Sequence, residues 1–498
     1  MLRIGRQTRA AALACALAAL TGCDKLLEVD LPDAVTDEAL KDPGTAALKV
    51  NSVMALVECA YSSMAMDAAG MEDNFQMVTG VAGNYSQYDD TPGGGECDND
   101  VYSQNWLEPL LLARGMGYRT YAEVLGYGLP SSDRLAAITA LYTVVTLGVF
   151  GEFFCEFAID GGPLLTYSQT LDIAEGWVDS VLARAPTTFA VTTAAGTQTS
   201  DIRMTAYGLR SRIRWANGDL AGAAADAALV SDGHMAYILR EPPEDRRNMV
   251  SSMHGNGGGV QAAGFLQGPV ILKTSANSRG ITILGNRPDG TPWPNPVPFT
   301  GYIDLAIQTA DGRAVDDVGN ALTLATAGTV ADTRVTHAIG PTAGGPDVVI
   351  TKYPSLDADI PLVNWREMRL IQAENAGASA AGVDFVNEIR TAAGLPIVQG
   401  GYRTAVEGDA VLFENLIFEE RRRALWLEAR WWSTKILNTD RLWFPRGVGD
   451  WISDIPTLYG LGGGVRLLMD GDEYQLNQNF DNSARATGCP TAQAPVGF

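Results

Sequence analysis

Histidine is almost missing from this chain of 498 residues: there are three, His234, His254 and His337, far apart in sequence. Metal or nucleophile machinery built on imidazole is therefore poorly supplied. A phosphate loop, a dinucleotide fingerprint after a strand, an HExxH helix and a GxSxG elbow are all absent. Basic residues are scarce too, with 36 Lys and Arg against 58 Asp and Glu and a formal charge of −22. Such a chain repels phosphate backbones, which argues against nucleic acid as a partner, and charge alone does not hold it on anionic lipid. Long hydrophobic runs are also lacking. The most apolar stretch, residues 141–154, is short and carries Glu152, so it reads as a buried helix ending near Gly148 or Gly151. What the chain does have is 10 Trp, 16 Tyr and 14 Phe, which exclude wholesale disorder, and a length sufficient for one large domain.

The N-terminus sets an expected compartment. Arg3, Arg6 and Arg9 precede an apolar run at 10–20, the layout of a secretory signal. Leu20-Thr21-Gly22-Cys23 then looks like a bacterial lipobox, which implies a signal peptide over 1–22 and a lipid on Cys23. Several acyl chains anchor far more firmly than one. Cysteine is otherwise sparse. Once Cys15 leaves with the signal, Cys59, Cys97, Cys155 and Cys489 remain, an even count that suggests two disulfides in an exported protein. Three connectivities are open. Cys59–Cys97 with Cys155–Cys489 is preferred because its first pair closes a short loop. The other reading is four buried thiols. No CxxC spacing supports zinc, and neither a metal nor a cofactor is expected.

Periodicity predicts a mainly α-helical chain. Helical stripes run through 46–70 (Leu48, Val53, Leu56, Val57, Tyr61, Met64), Trp106–Leu125 (Leu107, Leu110, Leu111, Met116, Tyr121), Asp133–Phe154 with Ser131 or Ser132 as N-cap, and Thr170–Ala183. Residues 203–230 read as a helix, an Asn217-Gly218-Asp219 turn and an Ala-rich helix, a tetratricopeptide-like pair. Ala206, Gly208 and Ser211 are small enough for the two helices to cross closely. Residues 365–393 read as a second pair, and 405–437 as a strong helix. Residues 240–350 differ: rich in Gly, Pro, Asn and Thr, they predict a long irregular insertion with few short strands. The expected organisation of 23–498 is one domain, with a helical scaffold over about 46–235 and 360–440 and an irregular lobe over about 236–359 and 441–498.

Ordered motifs then resemble a family. Leu26-Leu27-Glu28-Val29-Asp30-Leu31-Pro32 follows the lipobox; Phe150-Gly151 precedes Gly162-Pro163-Leu164; Ala206–Asp219 is followed by Arg369–Ala376. Val386-Asn387-Glu388-Ile389-Arg390 leads to Ala393-Gly394-Leu395-Pro396. Ile417–Leu425 (IFEERRRAL) leads to Glu428-Ala429, and Glu473–Asn479 closes the series. In this order they resemble the SusD/RagB family of surface lipoproteins. Ala424 stands where the family has an acid, Ala429 where it has glycine, and Ser433-Thr434 where Asp-Leu is usual. The resemblance implies a non-catalytic, lipid-anchored protein on the outer membrane, facing outward. It would bind a nutrient, an oligosaccharide or peptide, and deliver it to a SusC-type TonB-dependent transporter. It places ligand loops after the second helix and in the irregular middle, which gives Asn84, Tyr85, Tyr88, Asp89, Trp106, Trp293, Phe299 and Tyr302 as candidate ligand residues. Flat aromatic faces suit sugar rings, with amides and carboxylates on the hydroxyls. Prolines on both sides make Trp293 hard to bury in regular structure. Glu374, Glu420, Arg421 and Glu428 read instead as a buried ion network, with Glu420 and Arg421 reaching Asn387 or Arg390. Trp426, Trp431 and Trp432 read as core. Two other readings remain: a lipid-anchored glycoside hydrolase, which needs two carboxyls in one cleft, and a helical-repeat adaptor that binds protein only.

Overall fold

The computed structural model describes residues 41–72, 75–77, 106–194, 196, 198–241, 247–253, 260–262, 307–313, 328–342, 345–438, 466–467, 469 and 471–479. The chain divides into a unit ending at Ala46 and a unit from Ala47 to Phe498, and the second holds the fold.

This fold is mostly helical. Helices α1 (Ala46–Met71), α2 (Leu107–Tyr127), α3 (Ser132–Phe153), α4 (Tyr167–Arg184), α5 (Ile202–Ala216) and α6 (Leu220–Ala227) are followed, after an insertion holding the short α7 (Met249–Met253), by α8 (Trp365–Ala376) and α9 (Ala380–Ala392). Then come α10 (Gly400–Gly408), α11 (Ala410–Ala424), α12 (Arg430–Leu437) and α13 (Gly471–Leu476). From α2 to α6 each helix packs on the next, and α6 packs directly on α8 across the insertion. This serial stacking is the tetratricopeptide-like scaffold that the periodicity predicts.

Side-chain chemistry starts the helices where the sequence dictates. Thr166 and Gln169 form a reciprocal capping box on α4. Asp201, Asp219, Asn364, Ser379 and Asp409 each accept a backbone N–H at the starts of α5, α6, α8, α9 and α11. The start of α3 differs from expectation, because neither serine makes a cap bond there. The Ser132 hydroxyl instead donates to the Val124 carbonyl at 2.6 Å and accepts from Leu129 N, closing the α2–α3 turn.

Helix α3 is the axis of the core. It runs past Gly148 and Gly151, the two ends that the apolar stretch suggests, to Phe153, close to the end of the Asp133–Phe154 stripe, and Gly151 serves packing. A Cβ on Gly151 would lie 2.6 Å from Leu171 of α4. The helix is long and apolar enough to cross a membrane, but 94% of its apolar window is buried in the protein. Its threonines Thr139, Thr143 and Thr146 donate back to carbonyls four residues earlier, so burial leaves no hydroxyl hydrogen unpaired. Two predicted stripes need correction. On α2 the buried face is Leu110, Ala113, Gly117, Thr120 and Val124, while Leu111 is exposed. Small residues allow a close approach, since a Cβ on Gly117 would meet Thr143 Oγ1 at 2.3 Å. On α1 Leu48 is exposed as well. Gly208 faces a strand rather than a helix: its Cβ would meet Val363 at 2.4 Å, whereas Ser211 donates to the Ala223 carbonyl at the α5–α6 crossing.

Strands are short and paired in twos. They are β1 (Phe75–Met77), β2 (Glu156–Ala158), β3 (Leu164–Thr166), β4 (Ala190–Thr192), β5 (Thr199–Asp201) and β6 (Met235–Ile238), then β7 (Val260–Ala262), β8 (Ile307–Thr309), β9 (Thr329–Ala331), β10 (His337–Thr342), β11 (Gly345–Ile350) and β12 (Ile360–Asn364). The β6–β12 pair is the neck of the insertion: Ile238 faces Ile360 and Met235 faces Asn364, so the chain leaves and rejoins the scaffold at one antiparallel clamp. Near the C-terminus, Leu467 bridges to Phe154, Tyr474 Oη donates to Glu156 at 2.6 Å, and Arg466 Nη1 donates to the carbonyls of Gly151, Glu152 and Phe154. Arg466 thus caps the end of α3. Its burial lowers the guanidinium pKa to about 10.

Candidate functional site

The family-like motifs converge on buried ion pairs. Glu420 of α11, fully buried, accepts from Arg334 Nη1 at 2.6 Å and from Arg390 Nη1 of α9. Arg423 joins Asp332 and Glu419 at 3.2 and 3.0 Å. Burial alone would raise Glu420 and Asp332, but the neighbouring guanidinium groups outweigh it and hold both carboxyls below their usual range. Arg421 takes a different partner from the one expected. Its Nε donates to Glu374 at 2.8 Å and its guanidinium lies 4.3 Å from the Trp215 ring, whose Nε1 donates to the same glutamate at 2.6 Å. Asn387 binds Val398 N and O and so holds the loop after α9. Glu428 accepts from Lys352 at 2.7 Å and Asn364 at 2.9 Å. Trp426, Trp431 and Trp432 are core, and Trp432 stacks on Phe153 at 4.3 Å.

A second network lies among α3, α5, α8 and α12. Arg212 donates to Glu367 at 2.8 Å and Arg430 Nε to Glu367 at 2.6 Å, while Arg430 Nη1 and Ser433 Oγ both donate to Glu152. Burial pushes Glu367 up, yet Arg212 and Arg430 prevail and its pKa falls to about 2. These networks commit the buried acids to arginines and tie the insertion, through Asp332 and Arg334, to α9 and α11. Sequence reasoning missed Asp332, Arg334, Arg212 and Glu367. The one visible signal was an acid within an apolar stretch, as Glu152 is in the second half of α3. Among the described residues no three His, Cys, Asp or Glu converge as for a metal ion.

Of the candidate ligand residues, Asn84, Tyr85, Tyr88, Asp89, Trp293, Phe299 and Tyr302 lie outside the described residues, as do Cys23, Cys97 and Cys489. The structure does describe the roots of the two segments that carry the aromatics. Residues 78–105 follow β1, and residues 263–306 lie between β7 and β8. Strands β1 and β7 pair antiparallel, Phe75 opposite Ala262 and Met77 opposite Val260. Two segments nearly two hundred residues apart are thus rooted on one two-stranded sheet, against which the β10–β11 hairpin packs.

Trp106, where the first segment returns, corrects an expectation. It is fully buried at the start of α2, its Nε1 donating to Asp67 at 2.5 Å and its ring edge-on to Phe154 at 5.9 Å. A ring clamped between α1 and α3 presents no face to a sugar, and its role is to fix the re-entry point. Burial raises the Asp67 pKa well above the usual range, against the opposing bond from Trp106.

No protein-family model matches the sequence, and no curated protein matches it. Solved structures do resemble the fold. A SusD superfamily protein of Bacteroides vulgatus superposes with a TM-score of 0.51 at 11% identity, over 79% of this chain and 87% of its own. One from Bacteroides fragilis gives 0.51 at 12% identity, over 88% and 99%. One from Bacteroides thetaiotaomicron gives 0.50 at 11%, over 84% and 94%. Helix stacking, the clamped insertion and these superpositions agree: the chain has the SusD-like fold.

Proposed function

We propose that this protein is an outward-facing outer-membrane lipoprotein that captures an oligosaccharide or peptide and hands it to a SusC-type TonB-dependent transporter. The observation that carries the proposal is the β1–β7 pairing, which roots both aromatic segments on one two-stranded sheet. On this reading Asn84, Tyr85, Tyr88, Asp89, Trp293, Phe299 and Tyr302 form the ligand surface. Aromatic faces would cover sugar rings, and the amide and carboxylate would take hydroxyls. Trp106 belongs to the support beneath them. Signal cleavage after residue 22 and lipidation of Cys23 supply the anchor.

The activity is binding without catalysis. Commitment of Glu152, Glu367, Glu420 and Asp332 to arginines leaves none of these acids available as a general acid or base, which supports this reading over a glycoside hydrolase. On this reading Cys59, Cys97, Cys155 and Cys489 form two disulfides, as suits an exported protein. The test is titration calorimetry of the chain from Cys23 onward against defined oligosaccharides and peptides. Saturable binding that Trp293→Ala weakens at least tenfold, with the product mixture unchanged after long incubation, is the expected result. Turnover of a glycan would overturn it.

A further inference from the structure

Between α1, α3, α5, β12 and α12 lies a small space lined by both apolar and charged side chains. Tyr61, Gly148, Glu152, Arg212, Leu362 and Arg430 are among its lining residues. About 20 Å³ is open to the centre of a water molecule, which is room for one. Two observations point to a guest. Gly148 is buried in mid-helix, yet a Cβ built on it meets no atom within 4 Å. Arg430, with 4% of its side chain exposed, uses Nε on Glu367 and Nη1 on Glu152 and Ser433, but its Nη2 is buried without an acceptor. A charged donor left unpaired in a low-dielectric interior is costly, and a bound acceptor removes that cost.

We propose that this cavity is a binding site for a single structural water, which accepts from Arg430 Nη2 and is given its room by the missing side chain of Gly148. The guest is a neutral dipole because the charges around it balance: Arg212, Arg430 and Glu152 line the space, and Glu367, outside the lining, accepts from both arginines. A water can accept from the arginine while keeping both protons to donate. An anion would meet the Glu152 carboxylate, and a cation the two guanidinium groups. The water then completes the ion network that joins the first helices of the scaffold to α12, so the glycine in α3 is a feature of the site and not a flaw in the helix.

The test has a structural arm and a thermal arm. A crystal structure at about 1.5 Å should show a water within hydrogen-bond distance of Arg430 Nη2. Gly148→Ala should abolish that peak. For comparison, Gly176→Ala changes an exposed mid-helix glycine of α4 whose Cβ also meets nothing within 4 Å. Both variants gain alanine's helix preference, so their difference reports the cavity alone. Gly148→Ala is expected to melt about 1–3 °C below Gly176→Ala. Empty density in the native crystal, or Gly148→Ala melting above Gly176→Ala, would mean a dry void and overturn the proposal. An anomalous peak in the cavity after a bromide soak would overturn it in favour of an ion site.

Discussion

Replacing Glu420 with glutamine removes one charge and almost no volume from the place where the insertion meets the scaffold. The native carboxylate is wholly buried and serves Arg334 and Arg390 together. Two charges about 4 Å apart attract by about 4 kcal/mol at an effective dielectric of about 20. Two such pairs are set against the several kcal/mol already lost by burying each ion. Glu420→Gln leaves both guanidinium groups facing a neutral amide, and the net loss of stability is about 3–5 kcal/mol. Arg334→Met makes a smaller lesion, because Glu420 keeps Arg390 and Asp332 keeps Arg423. The double variant should recover part of the sum, with a coupling of about 1.5–3 kcal/mol. Urea unfolding followed by circular dichroism measures all four corners of the cycle. Limited proteolysis should show the insertion cut first in Glu420→Gln, since Arg334 is its tie to α11. A cost below about 1 kcal/mol, or strict additivity, would refute the view that this network fixes the insertion.

Other expectations concern backbone and pH. Ala429 sits at φ 61° and Leu427 at φ 60°, both left-handed and buried. Ala429→Gly relieves about 1–2 kcal/mol of strain against about 0.8 for a lost methyl, so unfolding should show a gain of about 0.5–1 kcal/mol. Gly151→Ala drives a methyl into Leu171 at 2.6 Å, including backbone at 3.1 Å, and should cost about 1–3 kcal/mol by the same assay. Glu367 titrates at about 2 in the folded chain against 4.5 ordinarily. Its contribution, about 3 kcal/mol, is complete above pH 4.5 and is lost as pH falls through 2; Glu367→Gln should flatten this part of a stability–pH curve. Asp67 runs the other way. Its raised pKa means that stability is fully present below the ordinary aspartate value and is lost as pH rises through the folded value. Asp67→Asn should therefore gain on the native protein as pH rises, and a parallel pair of curves would contradict this.

Regular scaffold was legible because its helices declare themselves locally. The stripes in α8 and α9 (Met368, Ile371, Val383, Val386, Ile389) are buried as their spacing predicts, and Asp219 caps α6 at the expected turn. Errors arose where helix meets helix. Leu111 looks like core by hydropathy, but the close α2–α3 approach selects Gly117 and Thr120 instead, and a single-helix pattern does not contain its neighbour's shape. Gly148 and Gly151 look like breakers until the partners that fill or spare their faces are known. Ion pairing was half readable: Glu420 with Arg390 follows from two motif helices, whereas Arg334 comes from the insertion, whose sequence has no period. Trp106 shows the limit for the candidate site. The resemblance puts Trp106 among the ligand loops, and only the tertiary placement of Asp67 and Phe154 shows it buried.

The central claim is capture and hand-over at the cell surface. It is tested most directly by solubilising outer membrane in mild detergent, recovering the C-terminally tagged full chain, and identifying the proteins that co-purify with it. Capture and hand-over predict a TonB-dependent barrel in stoichiometric amount. Recovery of the protein without any barrel, or only from inner membrane, would contradict the claim.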